Sequence, residues 1–401
     1  HMSYEEECRV KEQFIKDSFE RIGKLYPEYD SFEGCKQLVG YRNKAQYPVA
    51  EQDGRAVCGF YSRRSHHVCD HTDCALQPAV FKAIADEIMA YVNKRKIKAY
   101  NEETGSGLLR HIYLRRGEHS GEIMVCLVIN GTKMSDKLKK SLVRRLTEVS
   151  LDSDISTDKC IKSIMLNFNT ENTNVILGRQ CETLWGKSYI EDYIGDIKYQ
   201  ISPLSFFQVN PRQTEKLYGK ALEYAGLTGN ETVWDLYCGI GTISLFLAKN
   251  ARKVYGVEIV PQAIEDAKNN AAINGIDNAE FFVGKAEEVV PHFYEEMVRL
   301  AADTSATEAQ REEARKSITP DVVVVDPPRK GCDESLLDTI VKMSPERIVY
   351  VSCDSATLAR DLGLLADKGY KTVKVQPVDQ FSHTVHVESV ALILKEQPAI
   401  D

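Results

Sequence analysis

The sequence predicts a doubly wound α/β domain joined to an α+β domain, and three observations carry that expectation. The second half of the chain alternates between short Val/Ile-rich runs and helix-length segments, the texture of parallel strands buried on both faces between covering helices. The part before it has short alternating runs broken at turn-forming positions such as Asp53-Gly54, Gly105 and Asn130-Gly131. At 401 residues the chain also exceeds the usual size of a single core, so more than one domain is expected.

The elements follow in order. The opening "YEEECRVKEQFIKDSFERIG" places Val10, Phe14, Ile15, Phe19 and Ile22 at three- and four-residue spacings, which predicts an amphipathic helix stopping at Gly23. Residues 1–36 are read as a helical segment packing on the C-terminal domain. Strands are expected in "YRNKAQYPVA", "AVCGFYS", "GLLRHIYLRR", "EIMVCLVIN" and "KSIMLNFN", with helices near 78–95 and 134–150, so residues 37–204 form the central α+β domain. Residues 205–401 carry the alternation: helix 212–225, "TVWDLY", helix 241–250, "KVYGVEI", helix 261–273 and "AEFFVG". After the polar insert "EEMVRLAADTSATEAQREEARKS", a solvated helix or loop, come "DVVVVDPP", helix 334–343, "RIVYVSC", helix 355–368, "YKTVKVQPVD" and "HVESVALILK".

Composition narrows the class. A hydrophobic fraction of 43% and a charged fraction of 27% are those of an ordinary soluble protein. No apolar run approaches the roughly 18 residues that span a bilayer, and the N-terminus has no signal-peptide core, so a cytoplasmic protein without a membrane partner is expected. Eleven cysteines without a regular framework fit reduced thiols, so a cysteine with a role is catalytic or metal-binding rather than bridged. The net charge is −8, but residues 1–200 hold 30 Lys+Arg against 29 Asp+Glu while residues 201–401 hold 21 against 30. A polyanion therefore fits the first half better.

Three motifs carry chemistry. In "VWDLYCGIGTISLFLA" a strand, a glycine turn and a helix follow one another; Gly239 and Gly241 let backbone approach a ligand. Asp235 precedes the turn and Ser244 stands where a dinucleotide fingerprint has its third glycine, which favours S-adenosylmethionine. Glu258 ends the next strand, where a carboxylate can accept from ribose hydroxyls or merely sit in solvent. In "VVVVDPPRKGC" two prolines stiffen the turn after Asp326, and Arg329 stands where an amine methyltransferase typically has an aromatic residue, so amine methylation is disfavoured. Cys353 ends the strand "RIVYVSC". A buried packing role is the bland reading of such a thiol, and its place at the ligand edge of the sheet favours catalysis.

Four stretches, "DLYCGIG", "DPPRKG", "SCDSATLARDL" and "FSHTVHVESVAL", together with "YRNKAQYPV", "GFYSRRSHHV" and "SFFQVN", resemble the RNA (uracil-5-)-methyltransferases over nearly the whole chain, most closely the bacterial 23S ribosomal RNA enzymes. The resemblance implies a Rossmann-like S-adenosylmethionine-dependent methyltransferase domain, with Cys353 as nucleophile and Glu388 as base. Carbon 5 of uracil is too poor a nucleophile to take a methyl group until a thiolate adds to carbon 6, and a base must then remove the carbon 5 proton. By the same resemblance Gln208, Tyr237, Thr242, Glu258 and Asp326 contact the cofactor. Lys285 stands where the family usually has an acid or amide near the adenine. Cys238 and Cys332 are read as structural. Family members acting on ribosomal RNA often hold an iron–sulfur cluster, for which Cys74 matches the distant ligand. The other three ligands would precede the matching segment, so the cluster, like an N-terminal RNA-binding barrel, is expected only in a longer chain.

For RNA, residues 41–68 interleave Arg42, Lys44, Arg55, Arg63 and Arg64 with Tyr41, Tyr47, Phe60 and Tyr61, a pattern that suits phosphate contact and base stacking or else a solvated hairpin with core aromatics. Arg42, Lys44, Tyr61, Arg63, Arg64 and Arg329 are the candidate RNA contacts. The target base must leave its stack to meet Cys353, so a looped RNA is the expected substrate. Three alternatives stand beside the 23S reading. A tRNA uracil-5 enzyme uses the same chemistry, a non-catalytic RNA-binding or chaperone protein would keep the fold, and an NAD-dependent oxidoreductase leaves Cys353 with Glu388 unexplained.

Overall fold

The computed structural model describes residues 2–148 and 160–396. It divides into two compact units, one comprising His1–Lys36, Ile194–Ile197 and Arg212–Asp401, the other Gln37–Tyr193 and Lys198–Pro211.

The first unit opens with a helix, Tyr4–Ser18, whose N-cap Ser3 accepts from the Glu6 amide and whose first turn carries Glu5, Glu6 and Glu7, the charge that a helix N-terminus favours. It continues as a π-helical turn, Phe19–Gly23. Ile15 and Phe19 are fully buried, but Val10, Phe14 and Ile22 are half exposed. The buried line instead runs through Lys11, Ile15 and Phe19, four residues apart, so the stripe is narrower than the spacing suggested and contains a lysine. Gly23 serves close packing: a Cβ there would lie 2.6 Å from the Ala359 carbonyl oxygen. A short strand, β1 (Glu28–Tyr29), was not legible as one.

In the second unit β2 (Lys44–Gln52), β3 (Arg55–Cys58), β6 (Leu109–Arg116), β7 (Ile123–Ile129), β8 (Ile161–Phe168) and β9 (Gln180–Gly186) form one sheet in the order β3-β2-β6-β7-β8-β9. β4 (Phe60–Tyr61) and β5 (Val68–Cys69) make a small hairpin, as do β10 (Ile190–Ile194) and β11 (Ile197–Ile201). In this sheet β7 and β8 pair parallel, and the helix Asp136–Glu148 lies between them in sequence, as a parallel crossover requires. The last two residues expected in that helix lie outside the described residues. The helix Ala79–Arg95 packs its Phe81, Ile84 and Ile88 with Tyr47, Ile112, Leu114 and Val125 of the sheet. The unit reaches Pro211, beyond the expected boundary at residue 204, because Asn43 bonds the Val209 carbonyl through its amide (2.9 Å) and the Gln208 carbonyl through Nδ2 (3.0 Å).

In the first unit β12 (Thr232–Asp235), β13 (Lys253–Glu258), β14 (Ala279–Val283), β15 (Val322–Val325), β16 (Arg347–Ser352), β17 (Tyr370–Val378) and β18 (Glu388–Lys395) join β1 in an eight-stranded sheet ordered β1-β17-β18-β16-β15-β12-β13-β14. Intervening helices include Thr242–Ala248, Pro261–Ile273, Glu334–Met343 and Ser355–Ala366. The order reverses between β12 and β15, the switch point at which such sheets bind ligands. The strands are not all parallel: β18 pairs antiparallel to both β16 and β17, since the short link 379–387 leaves no room for a parallel crossover. The polar insert is helical, with helices Ala286–Ala302 and Glu308–Ile318, the second begun by a Thr307/Gln310 capping box. No helix among the described residues is long and apolar enough to cross a membrane.

The link before β18 is clamped by the N-terminal helix. Asp379, fully buried, accepts from Lys11 Nζ at 2.8 Å and from the Tyr4 hydroxyl at 2.7 Å, and Lys11 also reaches Glu7 at 2.6 Å and the Phe381 carbonyl at 3.1 Å. Lys11→Met leaves a buried carboxylate without its cation, so urea unfolding should show a loss of about 3 kcal/mol. A loss well under about 1 kcal/mol would mean that the pair does not hold the link.

Candidate active site

Several strands deliver an acid or a thiol to one edge of the eight-stranded sheet. β12 ends on Asp235 and β13 on Glu258, while Asp326 and Cys353 directly follow β15 and β16. Because β18 runs the other way, its first residue, Glu388, lies at this same edge. Ser352 pairs with Ser389, so Glu388 stands one step beyond, beside Cys353.

The neighbours set the protonation states. Burial first, then the negative charges of Glu388 and Asp326, push the partly buried Cys353 thiol up to about 11, while the Arg329 guanidinium acts the other way. Glu388, 3% exposed, is pushed up to about 8 by burial and then by Asp326, again opposed by Arg329. Burial and Asp235 raise Asp326 to about 7. Asp235 is itself raised to about 6 by burial, against hydrogen bonds from Ser244 Oγ (2.6 Å) and the Tyr237 amide (3.4 Å). Like charges crowded out of water cannot all ionise, so this edge retains protons at neutral pH. The helix starting at Ser355 does not relieve the thiol, because Asp354 takes its first free amides, those of Ala356 (3.1 Å) and Thr357 (3.0 Å). A thiol beside a carboxyl that titrates near working pH can act as nucleophile with an acid/base partner.

The loop carrying Arg329 is held from the helix Ser355–Ala366. Thr357 Oγ1 donates to the Arg329 carbonyl (3.1 Å), and Arg360 to that of Lys330 (2.9 Å). Asp361, fully buried, accepts from the Cys332 amide (2.8 Å), the Tyr350 hydroxyl (2.6 Å) and Arg360. Gly331, at φ +78°, leaves no space for a Cβ, which would lie 2.5 Å from that carboxylate. Sequence reasoning passed over Asp361. Its signal was an acid on the apolar stripe of Leu358, Leu362 and Leu365.

The other candidates are distributed as follows. Gly239 and Gly241 adopt φ +54° and +82°; beside Gly239 a Cβ would meet nothing within 4 Å, so backbone there faces open space, whereas Gly241 packs on Phe281 and Ala267. Thr242 accepts from the Tyr218 hydroxyl at 3.2 Å, Tyr237 is half-buried against the core, and the Glu258 carboxylate accepts from the Val260 amide at 3.0 Å. An open glycine backbone next to a strand-end carboxylate fits an adenosyl cofactor. Lys285 follows the edge strand β14 and points to solvent, paired with Glu288 at 3.4 Å. Gln208 belongs to the second unit, where it is 6% exposed. Also in that unit, Arg42 and Lys44 are half-buried, Tyr61 is 40% exposed and tilts on His66 at 5.2 Å, and Arg63 and Arg64 are exposed between β4 and β5. Cys74 is partly buried, and the described residues contain no cluster of three His, Cys, Asp or Glu able to hold a metal. Cys238 and Cys332 are buried.

The switch-point sheet with its glycine turn is the fold of an S-adenosylmethionine-dependent methyltransferase. Comparison with known proteins narrows this further. The tRNA (uracil-5-)-methyltransferase family model matches residues 164–396. An uncharacterized RNA methyltransferase of Clostridium tetani is 47% identical over 98% of this chain and 79% of its own, and another from Halalkalibacterium halodurans is 48% identical over 98% and 80%. Among solved structures, the tRNA (uracil-54, C5)-methyltransferase of Pyrococcus abyssi in complex with S-adenosyl-L-homocysteine superposes with a TM-score of 0.73 at 26% identity, covering 98% of this chain and 84% of that one. The chain belongs to the RNA (uracil-5-)-methyltransferase family.

The raised carboxyl of Glu388 makes stability depend on pH. Between its ordinary value of 4.5 and about 8 the folded state keeps a proton that the unfolded chain loses, so wild-type stability falls as pH rises through that window, at up to about 1.4 kcal/mol per unit. Glu388→Gln lacks this term. The variant's urea midpoint relative to wild type should therefore rise between about pH 5 and about pH 8; an unchanged difference would show that the carboxyl titrates normally.

Proposed function

We propose that this chain methylates carbon 5 of a uridine in 23S ribosomal RNA, forming 5-methyluridine through a transient Cys353–uracil adduct. One observation carries the proposal: a thiol and a buried carboxyl of raised pKa stand side by side at the ligand edge of a methyltransferase sheet. Gly239, Gly241, Thr242, Tyr237, Glu258, Asp326 and Lys285 of the first unit are assigned to hold S-adenosylmethionine, which supplies an electrophilic methyl group on its sulfonium. RNA is assigned to Arg42, Lys44, Tyr61, Arg63, Arg64 and Arg329.

The Cys353 thiol gives its proton to solvent, its sulfur bonds to carbon 6 as the carbon 5–carbon 6 double bond opens, and the electron pair passes toward carbon 5. Arg329 favours the ionised thiol and the ionised carboxylate alike. Once carbon 5 carries its methyl group, the Glu388 carboxylate takes the proton from that carbon, the ring double bond re-forms, and the carbon–sulfur bond breaks to return the thiolate. A second reading, tRNA as substrate, is favoured by the family description and by the tRNA enzyme of Pyrococcus abyssi.

Labelled methyl transfer to purified 23S RNA and to tRNA, with mapping of the product, separates the two. Label in 5-methyluridine of 23S RNA is expected; label in tRNA alone would establish the second reading, and label in neither would overturn both. Cys353→Ala should lower transfer by more than about a thousandfold, and retained turnover would refute the nucleophile. Glu388→Gln should accumulate protein covalently bound to RNA, because release needs the proton removed; recovery of free protein only would remove Glu388 from that role.

A further inference from the structure

Helices Ala79–Arg95 and Asp136–Glu148 of the second unit cover one face of its six-stranded sheet, where Ala45, Tyr47, Ile112 and Leu114 join the core. Strand alternation turns Lys44 and Arg115 to the opposite face, and the two are direct cross-strand partners in the β2–β6 register. Arg115 is 1% exposed, its guanidinium 5.6 Å from the Tyr113 ring centre. Its Nη1 donates to the Ser205 carbonyl at 2.9 Å and lies 3.5 Å from that of Ser202, while its Nε has no partner. Arg42 joins them: the ammonium of Lys44 is pushed down to about 8 by burial, then by Arg115 and Arg42, with no carboxylate offsetting them.

Like charges placed directly opposite each other destabilise a sheet, and a buried cation is costly unless something answers it. Among the described residues none of these three cations forms an ion pair, whereas Lys11 is paired twice over. An anchoring role explains why Arg115 bonds the 202–205 turn. It does not explain why Lys44 stands directly across from it, with Arg42 adding to the repulsion on Lys44.

We propose that Arg42, Lys44 and Arg115 form a receptor for a phosphodiester group of the RNA substrate, with Arg115 as a buried third cation behind the two on β2 and its approach. Rigid, partly desolvated cations bind phosphate oxygens more strongly than solvated ones do. The contact positions the RNA without reading its sequence. The identity of the anion's carrier rests on the RNA methyltransferase reading above; the need for an anion does not.

The test uses the full chain, with Lys44→Gln and Arg42→Gln chosen because neither residue anchors the loop. RNA affinity is measured against salt, and melting temperature with and without inorganic phosphate. Each variant should bind RNA more weakly, with a log Kd against log salt slope shallower by about 0.7. Without ligand, Lys44→Gln should melt at or above the wild-type temperature, since repulsion is relieved, and phosphate should raise the melting temperature of wild type more than that of the variant. An unchanged salt slope in both variants overturns the proposal, as does a free-state melting loss in Lys44→Gln. Methyl transfer by wild type, assayed in the same preparations, keeps the readings apart: transfer with unchanged slopes removes only the phosphate receptor, and altered slopes without transfer remove only the catalytic assignment.

Discussion

The first unit is organised around a carboxyl group kept out of water beside a thiol. Glu388 reaches that position because one strand of an otherwise parallel sheet runs backwards: β18 enters between β16 and β17, and its first residue meets the end of β16 where Cys353 emerges. Had β18 been parallel, Glu388 would lie at the opposite edge. The antiparallel insertion is thus a condition of the proposed chemistry, and the Lys11–Asp379 pair fastens the link that leads into β18.

Electrostatic crowding follows from the same geometry. Burial first, and then Asp235 acting on Asp326 and Asp326 on Glu388, raises these carboxyls along the sheet edge, and Arg329 opposes the shift at both Glu388 and Cys353. Its loop is accordingly fastened at several backbone points by Thr357, Arg360 and Asp361. The second unit shows the inverse arrangement, with Lys44 placed directly across from the buried Arg115 and no ion pair at either among the described residues.

Much of the fold could be read in the sequence because buried parallel strands announce themselves: "VVVV" at 322–325 and "RIVYV" at 347–351 became β15 and β16, and helix 334–343 has the expected limits. The direction of β18 was not legible, since strand propensity carries no polarity. Lys11 with Asp379 and Asp361 with the Cys332 amide also escaped, because each depends on a partner far away in the chain. The thiol is singled out by its strand-end position and the carboxyl by motif resemblance, but their shared environment, and the raised protonation that follows from it, needs the register of β16 against β18. Lys44 reads as basic in the sequence; that it stands directly across from Arg115 is a property of strand pairing.

The most direct measurement is peptide-level mass spectrometry after incubating the protein with S-adenosylmethionine and RNA whose uridines are replaced by 5-fluorouridine. Fluorine at carbon 5 cannot be taken away as a proton, so the intermediate persists with its carbon–sulfur bond intact. A methylated fluoropyrimidine attached to the peptide containing Cys353 is the outcome that follows from the geometry described. Attachment at any other of the eleven cysteines, or methylated RNA with no attachment at all, would contradict it.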